Sequence, residues 1–76
     1  MLVPLDTISA ELYLELESAC GFRPEVHDTR DDPDACAPFA VRDPEDWDIM
    51  GVGDVPSEAI ADALETVAQW PGPKAS

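Results

Sequence analysis

DTISAELYLELESACGF, residues 6–22, supports two incompatible local structures, and the choice between them sets the fold class. Ile8, Ala10, Leu12, Leu14 and Leu16 alternate with Ser9, Glu11, Tyr13, Glu15 and Glu17, which is the period of two of a half-buried strand. The residue types oppose that pattern. Ala, Glu and Leu are strong helix formers, and only Thr7 and Ile8 are β-branched. The ends favour a helix, because Asp6 or Thr7 can accept the free amides of a first turn and Gly21 can take the left-handed conformation that closes a last one. Phe22 would then fold back toward Leu16 or Glu17. At about 100° per residue, Leu5, Ile8, Leu12, Leu16 and Ala19 share one arc, and Ala10 and Leu14 lie outside it. A helix from about Thr7 to Cys20 is the expectation, with a strand as its alternative.

Toward the C-terminus, DVPSEAIADALETVAQWPGP, residues 54–73, is the clearest helical segment. Pro56 stands at or near a first turn, Glu58 and Asp62 are early acids, and Pro71 and Gly72 end it. Ile60, Ala63, Leu64 and Val67 line one face with Trp70 near its edge, a stripe read as core packing against a hairpin or the first helix. Between the helices, PFAVR and WDIMGVG are short apolar runs separated by Asp43, Pro44, Glu45 and Asp46, the pattern of a hairpin with a four-residue turn in which Pro44 presets φ. Gly51 and Gly53 weaken the second strand and mark a bulge or its end. Residues 23–38 carry three prolines and many aspartates without an apolar period, so they read as a long surface loop. The expected fold is α+β: two helices packed on a small antiparallel β-hairpin or sheet, with a long acidic loop. One domain is expected over residues 1–70, with a flexible tail at 71–76.

Seventy-six residues lie near the lower limit for a fold held by a hydrophobic core alone. The apolar fraction of 45% is nevertheless that of a globular chain. Seventeen Asp and Glu against four Lys and Arg give a formal charge of -13, well beyond the roughly 2 to 8 charges that keep a small domain soluble. Self-repulsion of this size is relieved by salt or by a basic partner. Nucleic acid and anionic lipid need Lys and Arg to displace counterions, so the balance argues against direct binding to either. No apolar run approaches the roughly 18 residues of a membrane span, and no basic segment followed by an apolar one opens the chain. A cytoplasmic protein is the expectation. Cys20 and Cys36 lack CxxC spacing, and both are expected as thiols packing as small hydrophobes, with a disulfide closing the loop between them as the alternative in an oxidising compartment.

No set of residues carries a catalytic signature. His27 beside Asp28 resembles half of a proton-transfer pair, but no Ser, Cys or Lys nucleophile is near it in sequence, and a surface-loop histidine is the plainer reading. Asp28, Asp31, Asp32 and Asp34 offer oxygen ligands for a hard cation, yet Pro33 interrupts them and neither the glycine nor the closing glutamate of a calcium loop follows. Two cysteines and one histidine do not complete a zinc site. The expectation is a non-enzyme with no cofactor and no specific metal.

The middle of the chain, HDTRDDPDACAPFAVRDPEDWD at residues 27–48, holds eight acids and two arginines. Glu25, Asp28, Asp31, Asp32, Asp34, Asp43, Glu45, Asp46 and Asp48 flank Phe39, Val41 and Trp47. In the plainest reading this is a solvated face, but ordinary surfaces mix signs, whereas here nearly every exposed segment is acidic. Carboxylates at i and i+2 of an extended chain lie roughly 6 to 7 Å apart, close to the spacing of phosphates on one strand. Asp32 with Asp34, and Asp46 with Asp48, have that separation in sequence. The acids with Trp47 are therefore the candidate partner-binding residues, Trp47 or Phe39 adding apolar contact at the centre. Neutralising Asp31, Asp32 and Asp34 together is expected to weaken binding by more than roughly tenfold while leaving the fold intact.

In size, charge and absence of catalytic residues the chain is similar to the small acidic inhibitors encoded by phages and mobile elements, including anti-CRISPR and anti-restriction proteins that mimic nucleic acid. That resemblance implies a stoichiometric blocker of a basic nucleic-acid-binding host complex, such as a CRISPR surveillance complex. An acidic adaptor or antitoxin-like subunit binding a basic protein through its apolar helix face is the alternative. A halophile's domain and a divalent-cation module share the acidity and complete the field.

Overall fold

Asp6 settles the first segment. Its Oδ1 accepts the amide of Ser9 at 3.0 Å, capping a helix, α1, that spans Thr7–Cys20. Hydrogen bonds from the Ser9 side chain and, after it, the Ser9 amide draw the Asp6 carboxyl below its ordinary pKa of 3.8. At the other end Gly21 sits at φ 84°, a left-handed position that favours glycine, and its amide reaches back to Glu17 O. A computed structural model describes residues 5–71. In it α1 is followed by β1 (Glu25–Asp28), β2 (Phe39–Arg42), β3 (Ile49–Gly53) and α2 (Pro56–Ala68). The strands form one antiparallel sheet in the order β1-β2-β3, and the fold is α+β. Apart from Pro71, the expected tail at 71–76 lies outside the described residues.

Two expectations need correction. Residues 23–38 are not loop throughout, because Glu25–Asp28 pairs with Phe39–Arg42 as β1. A four-residue strand with one fully buried apolar side chain, Val26, leaves no alternation to detect in sequence. Second, the buried side of α1 is rotated from the expected arc. Ser9, Leu16 and Cys20 are buried and Leu5, Leu12 and Tyr13 pack beside them, whereas Ile8 is 65% exposed and Ala19 faces solvent. Tyr13 is drawn inward because its hydroxyl donates to Pro24 O at 2.7 Å, tying α1 to the segment that enters β1. Burial and the Glu17 carboxylate both raise its pKa. Phe22 packs against the core that includes Leu16 and stacks on Trp70, centroids 6.4 Å apart, joining the C-terminal ends of the two helices.

Helix α2 is the middle layer, lying on the sheet with one side and against α1 with another. Its stripe of Ala59, Ile60, Ala63 and Val67 is buried, with Leu64 packed alongside, as the sequence pattern requires. The core adds Leu16 and Cys20 from α1 and Val26, Phe39, Val41 and Met50 from the sheet. The small residues on α2 have a geometric reason. A Cβ on Gly51 would lie 2.5 Å from Ala59 O, and one on Gly53 would lie 2.5 Å from Ala59 N, so helix and strand meet backbone to backbone. Beside Gly51 the register slips between Val41 and Arg42, the bulge expected near the glycines.

The pairing fixes which side chains share a face. Val26 opposite Val41 points toward α2, so Glu25, His27, Ala40, Arg42, Ile49 and Val52 project from the other face. The outer edge of β3 is covered, because the Val52 amide, turned away from β2, donates to Asp62 Oδ2 at 2.9 Å.

Candidate functional site

The candidate binding residues do not form one continuous belt. Residues 29–38 leave one end of the sheet and residues 43–48 leave the other, separated by the length of β2, roughly 10 Å at about 3.3 Å per residue. The acids therefore divide into two clusters with different surroundings.

At the first end, Asp28 is the last residue of β1 and is engaged by Arg30 through Nε at 3.0 Å and Nη2 at 2.6 Å, while its Oδ1 also accepts the Arg30 amide. Those hydrogen bonds hold its carboxyl down at about 2. The same guanidinium lies 5.2 Å above the Phe39 ring. Asp31, Asp32 and Asp34 are exposed in successive turns. Asp32 Oδ1 accepts the Asp34 amide at 2.9 Å, an Asx turn that bends the chain between them. The i, i+2 spacing of an extended strand is therefore absent here, and it is also absent at Asp46 and Asp48, which lie in the second turn. Composition cannot reveal this, since an aspartate that promotes a turn looks the same in sequence as one displayed along a strand.

The second connection is longer than the four residues expected, running 43–48, with Trp47 and Asp48 belonging to the turn rather than to β3. Asp43 organises it. It is only 3% exposed, its Oδ1 accepts the amides of Glu45 at 2.8 Å and Asp46 at 3.4 Å, its carbonyl accepts Trp47 N, and its amide donates to Asp48 O. Asp43 is therefore a structural part of the turn rather than a displayed contact residue. Glu45, Asp46 and Asp48 face solvent around it.

Trp47 has φ 58°, the one positive φ at a non-glycine among the described residues. Hairpin connections of this length commonly place a left-handed residue before the second strand, and glycine usually takes that position. Its carbonyl accepts Arg42 Nη1 at 3.1 Å, and its ring leans on His27, centroids 5.8 Å apart. His27 itself is bonded to Glu25 Oε1 at 2.9 Å through Nε2. Sequence reading placed His27 and Glu25 in a loop. The sheet instead sets them side by side on its open face, under Trp47 and next to Arg42. Ile49, half-exposed on that face, was missed because its neighbours in sequence read as core.

Both cysteines are free thiols. Cys20 is buried as expected, and burial raises its pKa. Cys36 is exposed in the first connection, contrary to expectation, because the prolines and aspartates around it keep that segment at the surface. Among the described residues no three His, Cys, Asp or Glu side chains converge as metal ligands, and no helix is long and apolar enough to cross a membrane.

No protein-family model matches the chain, and neither a curated protein nor a solved structure is significantly similar to it.

Proposed function

We propose that the protein is an acidic inhibitor that occupies the cationic groove of a nucleic-acid-binding host complex, such as a CRISPR surveillance complex, and thereby keeps DNA out. The observation that carries this reading is the uncompensated charge. The net charge of -13 already counts every Lys and Arg, and of the seventeen acids Glu17 lies 3.6 Å from Arg23 and Asp28 is held by Arg30, while Arg42 donates to the Trp47 carbonyl. Glu45, Asp46 and Asp48 at one end of the sheet and Asp31, Asp32 and Asp34 at the other face solvent. Such clusters raise the local concentration of a basic partner and speed its association. The mimicry rests on charge density, since both clusters are bent into turns and do not repeat a phosphate spacing.

The adaptor reading has no comparable support. The apolar face of α2 on which it relied, with Ile60 and Val67, is buried in the core.

The test is capture from a host lysate at low and moderate salt, followed by a challenge with duplex DNA. A basic nucleic-acid-binding complex that is retained at low salt and released both by DNA and by salt is the expected result. Retention of partners that duplex DNA does not displace would overturn it.

A further inference from the structure

One face of the sheet is buried by α2, and the opposite face carries Trp47, Ile49 and Val52 above Ala40 and His27. Trp47 is 55% exposed and Ile49 50% exposed, so neither contributes much to the core. Folding gives Trp47 little reason to be tryptophan. Its left-handed backbone is one that glycine adopts freely and that a bulky side chain resists, and the turn around Asp43 holds it there regardless. A large aromatic kept at such a position and displayed to solvent is explained by a contact outside the chain.

The charge identifies what kind of contact. A second copy of this chain would bring a second net charge of -13 up against the first, a repulsion that Arg42 on this face does not offset, and anionic lipid or nucleic acid would be repelled by the whole molecule in the same way. The patch is rimmed by exposed Glu45 and Asp48, which calls for cations beside an apolar surface. Arginine meets both demands better than lysine, because its planar, weakly hydrated guanidinium stacks on aromatic rings while its edge bonds carboxylates. The molecule already contains that arrangement once, in Arg30 lying over Phe39 while bonded to Asp28.

Building on the acidic-inhibitor reading, we propose that this open face is the docking centre for an arginine-rich segment of the protein partner. One guanidinium stacks on the Trp47 ring, and neighbouring arginines meet Glu45 and Asp48. Contact is thus made through protein-type anchoring at one end of the sheet, with the acids at 31–34 acting only at long range.

The test is a titration of the full chain, followed by ¹H–¹⁵N NMR, with oligoarginine and oligolysine peptides of equal length in dilute buffer. The expected result is that the Trp47 indole and the Ile49 and Val52 amides shift, and that oligoarginine binds several-fold more tightly. Trp47→Gly, which suits the backbone at that position, is expected to keep the melting temperature and abolish the arginine preference, leaving equal, salt-sensitive binding of both peptides. Ile49→Ser is a second variant that leaves the turn untouched, and it is expected to weaken oligoarginine binding by roughly threefold. An arginine preference that survives both substitutions, or shifts confined to residues 31–34, would overturn this docking centre and leave the acidic-inhibitor reading standing. Failure of both peptides to bind in dilute buffer would overturn both readings.

Discussion

Residues 29–38 and residues 43–48 both leave β2, both are rich in aspartate and both contain proline, yet they are built differently. In the first, Asp32 accepts the Asp34 amide in an Asx turn, and Asp28, at the end of β1 beside it, is held by Arg30. Asp31, Asp32 and Asp34 are exposed to water. In the second, one carboxylate is buried and collects the amides of the turn, which forces Trp47 into a left-handed conformation and sets its ring over His27. Like charge in like composition therefore serves two ends. Burying a single aspartate converts a polar connection into a rigid platform, because a desolvated carboxylate is held only where its hydrogen bonds are satisfied.

The comparison breaks most visibly on stability. Asp43→Ala leaves the part-buried amides of Glu45 and Asp46 without their acceptor and is expected to destabilise the protein by about 1 to 2 kcal/mol, whereas Asp32→Ala in the exposed connection costs about 0.5 kcal/mol. Urea denaturation of the two variants measures the gap directly, and Asp43→Asn, which keeps an acceptor oxygen, should fall between them. Equal losses would mean that the two connections are alike after all.

Binding sharpens the contrast at equal charge. Glu45→Gln with Asp48→Asn removes two charges from the platform, and Asp31→Asn with Asp34→Asn removes two from the other end. Calorimetry against a basic partner is expected to show a loss of about tenfold or more, near 1.4 kcal/mol, for the first pair and about threefold for the second.

Smaller still is the stability effect of Trp47→Gly. Relief of the left-handed backbone and loss of the ring's contact with His27 oppose each other, and the net change is expected to lie within about 1 kcal/mol, read from thermal unfolding. The smallest effect concerns Asp28, which is at the surface. Its folded pKa of about 2 lies below the ordinary 3.8, so what it contributes is complete above about pH 4 and is lost as pH falls through about 2. The difference in melting temperature between the native protein and Asp28→Asn should shrink to nothing over that interval; a difference that persists at the acid end would deny the Arg30 contact its role.

Much of the architecture was legible in residues that act locally. Asp6 and Gly21 named the ends of α1 because a cap acts within one turn, and the stripe Ile60, Ala63, Leu64, Val67 named the core face of α2 because its period is unambiguous. The face of α1 was misassigned because Tyr13 is recruited inward by the carbonyl of Pro24, a partner eleven residues away. Strand β1 was missed because Val26 alone is buried and its pairing with Val41 spans the whole first connection. Within the candidate site, Trp47 and the acids around it were singled out by composition, but Asp43 could not be told apart from Glu45 or Asp48, since burial is not a property of the residue type.

By itself, the sequence determined two helices, the β2–β3 hairpin and the large negative charge, because caps, propensities and formal charges are local or simply additive. Only the tertiary structure decided that the acids form two clusters rather than one, that Asp28 and Asp43 are engaged within the fold, and that Glu25, His27 and Trp47 meet on the open face of the sheet. Strand pairing and the packing of α2 choose which face is covered, and both depend on residues far apart in the chain.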